Sequence, residues 1–102
     1  MNIDPTSLKV ENNEAKKRFE VKVGAKMAVA EYMRVANRII FTHTEVPVEL
    51  EGNGIGTLLA KTALEFAKRH KLEVMPLCPY IAGYIKKNPE YQPLVMAGYG
   101  FG

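Results

Sequence analysis

The most constraining feature of this chain is a change of period between two strand-like segments. "RIIFTHTEV" at 38–46 is rich in β-branched and aromatic residues and reads as a strand. "LEVMPLC" at 72–78 reads as another. Between them the apolar residues fall at helical spacing: Ile55, Leu58, Leu59, Ala63, Phe66 and Ala67, with Lys61, Glu65, Lys68 and Arg69 elsewhere on the wheel. A strand, a helix and a strand in that order form a crossover, and the crossover implies that the two strands run parallel.

Upstream the pattern is simpler. In "RFEVKV" at 18–23, Phe19, Val21 and Val23 alternate with charges, as in a half-buried strand. "GAK" turns the chain into "MAVAEYMRV" at 27–35, and "AN" at 36–37 turns it again. Three strands joined by short turns predict an antiparallel meander. Leu8 and Val10 suggest a short edge strand, with "ENNEA" after it as a turn. At the other end, Pro79 suits the first turn of a helix, "PYIAGYIKKN", which Asn88-Pro89 stops. The expected fold class is α+β, with strands and helices in the order β-β-β-α-β-α. Residues 1–16 are expected to be ordered in part at most, 17–95 to form the domain, and the glycine-rich 96–102 to fray.

Composition limits the function classes. A chain of 102 residues with 47% hydrophobic content suits one globular domain and excludes a disordered one. The single cysteine, Cys78, rules out an intramolecular disulfide and points to a reducing cytoplasm. "MNIDPTSLKV" lacks the basic start and apolar run of a targeting peptide. The longest weakly polar stretch, 74–85, contains two prolines and falls short of the ~18 residues a membrane span needs. The net charge of +3 comes from short basic pieces, "KKR", "KRHK" and "KK", which suit solvated faces or an anionic ligand. No recognition motif for nucleic acid accompanies them. His43, His70 and Cys78 lie too far apart in sequence to make a metal-ligand pattern.

One junction stands apart. "EGNGIGTLLAKTALEFAKRH", Glu51 to His70, places Gly52, Gly54 and Gly56 directly before the helix. Two readings account for it. Small residues permit a tight turn that packs the helix closely on the sheet. They also let an anion such as a pyrophosphate reach the unpaired N–H groups of the first turn, where the helix dipole is positive. The spacing is neither that of a P-loop nor that of a Rossmann fingerprint.

The order of motifs adds to this. His-Thr-x-Val-Pro at 43–47, the glycine loop with its helix, Pro-x-Cys-Pro-Tyr-Ile at 76–81 and Asn-Pro-x-Tyr at 88–91 together resemble the small Gcn5-related N-acetyltransferase-like family over residues 18–92. The resemblance implies a site for acetyl-CoA formed by Val46, Gly52, Asn53, Gly54, Ile55, Gly56 and Thr57, with Glu51 at a position where the broader superfamily has Arg or Gln. It implies that the pantetheine arm lies along the end of the strand carrying Thr44 to Val46, where the parallel neighbour splays away. It also implies transfer of an acetyl group to an unidentified amine, with a non-catalytic CoA-binding or interaction module as the alternative. A monomer or weak dimer is expected.

Acetyl transfer needs a base and donors for developing negative charge. The family resemblance proposes His43 and Cys78. Along the strand Phe41, His43 and Glu45 share one face, and Cys78 precedes a helix N-terminus, where a thiol pKa can fall. A buried inert thiol and a filler histidine are the plainer readings. Tyr80 and Tyr84 stand at i, i+4 on the last helix. One could protonate a departing thiolate, although packing in the core is the simpler assignment.

Overall fold

The computed structural model describes Asp4 and residues 7–98. The outermost parts of the expected N-terminal segment and glycine tail, residues 1–3, 5–6 and 99–102, lie outside the described residues. Five strands form one sheet in chain order: β1 (Val10–Asn13), β2 (Arg18–Val23), β3 (Lys26–Val35), β4 (Arg38–Glu45) and β5 (Glu73–Pro76). The first four pair antiparallel, and β5 joins β4 parallel after the crossover helix α1 (Ile55–Arg69). Helix α2 (Pro79–Lys87) follows β5. The chain then returns along β5, where Met96 N–H donates to Val74 O at 2.9 Å. The α+β class is that expected from the sequence, and the element order matches the expected β-β-β-α-β-α with one strand added, β1, at the edge where Leu8 and Val10 suggest it.

The helices gather on one face. Phe19, Val21, Ala28, Ala30, Tyr32, Ile39, Phe41 and Val74 are buried there with Leu59, Ala63 and Leu64 of α1 and Ile81 and Ile85 of α2. Small Ala28 and Ala30 occupy the central strand, so α1 can approach while aromatic residues fill the flanks. Phe66 of α1 meets Phe19 edge-on, with ring centroids 5.5 Å apart. The opposite face carries Met33, Ile40 and Met75, none of them buried. Truncating fully buried Leu59 to alanine would cost about 2–5 kcal/mol.

Two boundaries differ from the sequence reading. "ENNEA" is only half a turn. Glu11 to Asn13 continue β1, and the turn falls at 14–17. The asparagines stay in the strand because their side chains are used across the sheet. Asn12 Oδ1 accepts from Tyr32 Oη at 2.6 Å, and Asn13 Nδ2 donates to Glu20 Oε2 at 3.2 Å. Strand β5 stops at Pro76, paired with Phe41. Leu77 N–H turns back onto Met75 O at 3.1 Å instead of continuing the ladder.

Candidate functional site

The early end of β5 opens the site. Cys78 N–H makes a last bond to Phe41 O at 2.8 Å, and the chain then enters α2. Beyond Phe41, β4 continues through Thr44 and Glu45 with no ladder partner on that side among the described residues. A cleft of about 640 Å³ occupies the gap, lined by Thr44, Glu45, Val46, Leu50, the glycine loop and Tyr80. A chain edge left unpaired inside a cleft offers main-chain donors and acceptors to an extended ligand.

A bulge decides which side chains face this cleft. Tyr32 pairs with Phe41 and Glu31 with His43, so Thr42 is an extra residue on β4. Its hydroxyl donates to Glu31 O at 3.3 Å. One added residue reverses the alternation. Thr44 pairs with buried Ala30 and points toward the helices, whereas His43 and Glu45 pair with Glu31 and Val29 on the open face. Phe41, His43 and Glu45 therefore do not share a face, as an unbroken strand predicts.

This places the two candidate reactive residues apart. The Cys78 thiol is buried and lies 3.2 Å from Thr44 Oγ1. His43 is exposed on the opposite face, with Nε2 3.5 Å from Glu45 Oε2. The structure brings Cys78 to Thr44 and leaves His43 elsewhere. Neither Cys78 nor His43 lines the cleft, and Thr44 does. The bulge has no local signature in "RIIFTHTEV", so the sequence offers no way to foresee this exchange.

The glycine loop builds the other wall. Leu50, buried, anchors it after a short turn of 3-10 helix at Val48–Leu50. Asn53 braces it: the side-chain amide donates to Leu50 O at 3.0 Å and Glu51 O at 3.2 Å. Gly52 and Gly54 have φ of +82° and +75°, the left-handed region that favours glycine. Gly54 caps α1, and the first rung of the helix ladder is Leu58 N–H to Gly54 O at 3.0 Å. The N–H groups of Ile55, Gly56 and Thr57 precede that rung and have no acceptor within the helix. Of the residues expected at this site, Val46, Gly52, Gly54, Ile55, Gly56 and Thr57 line the cleft, and Asn53 braces it from behind.

Gly56 answers to a different constraint. A Cβ placed on it would lie 2.5 Å from Tyr80 Oη and 2.7 Å from Cζ. The phenol of Tyr80 lies across the first turn of α1, so the missing side chain is what lets α2 close against α1. Tyr80 is 44% exposed and forms a cleft wall, not part of the core. Tyr84 is only partly buried, with its ring 6.0 Å from that of Tyr91. Burial is the main reason its phenol pKa is raised.

Residues 18–94 match the family model described as GCN5-related N-acetyl-transferase. The chain belongs to the GCN5-related N-acetyltransferase family. Within it, the chain is similar to Protein NATD1 of Mus musculus, at 38% identity over 85 residues, 80% of this chain and 77% of that protein. Protein NATD1 of Xenopus tropicalis is 35% identical over 91 residues, covering 85% of this chain and 84% of that protein. The match to the family runs from the start of β2 through the segment after α2, so it includes the splayed strands, the bulge and the glycine loop.

Proposed function

We propose that this N-acetyltransferase-family chain binds acetyl-CoA in the cleft between β4 and β5 and passes the acetyl group to an amine. The observation that carries the reading is the junction of an unpaired strand edge with a glycine-capped helix N-terminus in one cleft. The strand edge suits the amides of a pantetheine arm, and the N–H groups of Ile55 to Thr57 suit a pyrophosphate. The residues fit the group through backbone alone. The charged residues lining this cleft are Glu45 and Glu51, both exposed. Bound there, acetyl-CoA supplies an activated thioester.

The chain's own groups would divide the remaining work. Thr44 presents a hydroxyl at the cleft wall, backed by the buried Cys78 thiol. His43, exposed beside Glu45 on the open face and outside the cleft, would take the amine's proton only if the acceptor reaches the thioester across the edge of β4. Cys78 would take part as a nucleophile only after the Thr44 contact gives way. Action in the cytoplasm, with no nucleic acid or membrane partner, completes the reading.

A second reading has its own observation. The separation of His43 from Cys78 leaves the thiol without a basic partner, which favours a CoA-binding module without chemistry. Calorimetry with CoA on the wild type and on Gly54→Val tests the cleft. Valine cannot readily adopt φ of +75° and would crowd the N–H groups, so affinity should collapse. Equal affinity in the two proteins, each shown to be folded, rules the cradle out. Mass spectrometry after incubation with acetyl-CoA and a panel of amines separates the two readings. Acetylated amine supports the enzyme, and binding without any acetyl product supports the module.

A further inference from the structure

Two of the three short basic pieces in the sequence, "KKR" at 16–18 and "KRHK" at 68–71, come together in the fold. The β1–β2 turn, the β3–β4 turn and the C-terminal end of α1 all lie at one end of the sheet, away from the glycine loop. Contacts tie them together. Tyr32 N–H donates to Lys17 O at 2.9 Å, and Glu73 N–H donates to Asn37 O at 2.8 Å. The Arg34 guanidinium lies 5.9 Å from the centre of the Phe66 ring, and the Phe66 and His70 rings are 4.2 Å apart. Residues 14–17, 34–38 and 68–73 hold seven of the 14 Lys and Arg but only two of the 11 Asp and Glu, Glu14 and Glu73. Seven against two gives this end +5 in a chain of net charge +3. Arg38 pairs with Glu73 at 3.6 Å. The other six cations are exposed and take part in none of the ion pairs found among the described residues.

Two of these cations stand where the backbone disfavours them. Lys71 follows the C-cap of α1 with φ of +56°. The helix closes there with Lys71 N–H donating to Lys68 O at 3.2 Å and Leu72 N–H to Ala67 O at 2.9 Å. In that closure the left-handed position is usually glycine. Lys17 ends the β1–β2 turn at φ of +55°, again in the left-handed region. At the cleft end the chain meets the same demand with Gly24, Gly52 and Gly54. At this end it uses Lys17, Ala36 and Lys71. The dipole of α1 accounts for cations in its last turn. It accounts neither for Arg34, on another element, nor for Lys17, which takes the same disfavoured backbone.

We infer that this basic end is a docking surface for an acidic protein segment, and that Lys17 and Lys71 are kept for their charge against the preference of the backbone. Charge complementarity selects an anionic partner. The form of the surface selects a polypeptide. Phe66 is buried, with Arg34 and His70 packed against it, so it offers no free ring face to a nucleic-acid base. The exposed apolar residues nearby, Met33 and Val35, lie on the open face of the sheet, and the apolar stripe of α1 is in the core, so no amphipathic helix is presented to a lipid surface. An extended segment with spaced carboxylates can reach cations carried by three separate segments. No glycine stands at this end, so its turns are stiff and little freedom is lost when they are covered. Docking here leaves the cleft at the other end of β4 open, so the inference stands apart from the CoA reading.

The test measures binding of a capped oligoglutamate peptide by fluorescence anisotropy at low salt, beside an oligothymidylate of equal charge and phosphatidylserine vesicles. Wild type should bind the peptide more tightly than either of the others and should lose affinity as salt rises. Lys17→Gly with Lys71→Gly should weaken peptide binding about 3- to 10-fold, the size expected for two exposed charge pairs. The same pair of changes should raise Tm, because glycine takes a left-handed φ without steric penalty. Lys17→Arg with Lys71→Arg keeps the charge and should keep the affinity. Lys22→Gln with Lys26→Gln removes equal charge at the opposite ends of β2 and β3 and should leave peptide affinity unchanged. Failure of wild type to bind the peptide, unchanged affinity in the double glycine variant, or an equal loss in the Lys22→Gln, Lys26→Gln protein overturns the site. Tighter binding of oligothymidylate or vesicles overturns the choice of partner. A Tm that does not rise in the double glycine variant overturns the claim that these lysines are kept for charge.

Discussion

Replacing Gly56 with alanine puts a methyl group into space held by Tyr80. Its Cβ would lie 2.5 Å from the phenol oxygen and 3.2 Å from Cε1, separations that Cβ contacts do not tolerate. The backbone at Gly56 is ordinary helix, so alanine itself gains about 0.5–1 kcal/mol over glycine. The atoms in the way are the far end of a side chain already 44% exposed, so Tyr80 can swing off α1 at modest cost. Two small terms of opposite sign should leave stability nearly unchanged in the wild-type background. In a Tyr80→Ala background the obstruction is gone, and Gly56→Ala should stabilise by the full 0.5–1 kcal/mol or so, a Tm rise of roughly 2–8 °C for a domain of this size. Thermal melts of the four proteins close a double-mutant cycle with an expected coupling of about 0.5–1 kcal/mol. Gly54→Ala serves as the contrast. Its φ of +75° penalises any side chain by about 1–2 kcal/mol, with or without Tyr80. An equal gain from Gly56→Ala in both backgrounds would refute the claim that Tyr80 determines why residue 56 is glycine.

Two further outcomes follow from other parts of the molecule. Because the Cys78 thiol is buried against Thr44 and His43 faces away, alkylation of native Cys78 should be slow, should accelerate on unfolding or in Thr44→Gly, and should be unchanged in His43→Ala at the same pH; a large rate change in folded His43→Ala would contradict the placement. The hydrogen bond from Arg18, 2.6 Å from Glu20 Oε2, is the largest cause of a lowered Glu20 pKa, with burial opposing it. The folded pKa therefore lies below the usual 4.5, so the pair's stabilisation is complete above about pH 4.5 and is lost as pH falls through the folded value. Glu20→Gln should lower Tm at pH 7 and have little effect near pH 2, and an equal loss at both would mean that charge is not what the pair contributes.

Much of this architecture is legible in the sequence, for reasons that are local. Alternation in "RFEVKV" and the 3.6-residue spacing from Ile55 to Ala67 each report one periodic surface that must be buried. Pro79 and Pro89 mark breaks because proline has no N–H and a fixed φ wherever it stands. The glycine loop is visible for the same reason, since left-handed φ at Gly52 and Gly54 is a property of the backbone at those residues. What the sequence leaves open depends on partners distant in the chain. The bulge at Thr42 is a mismatch in count between β3 and β4, and no single segment encodes a count against its neighbour. From that one residue it follows that Thr44, not His43, meets Cys78. Tyr80 belongs to a cleft wall and not to the core because α2 closes onto α1 at Gly56, a contact 24 residues away in sequence. Local propensity fixes which segments are strands and helices, whereas the register between segments fixes which side chains face the cleft, and register is settled only when the whole sheet forms.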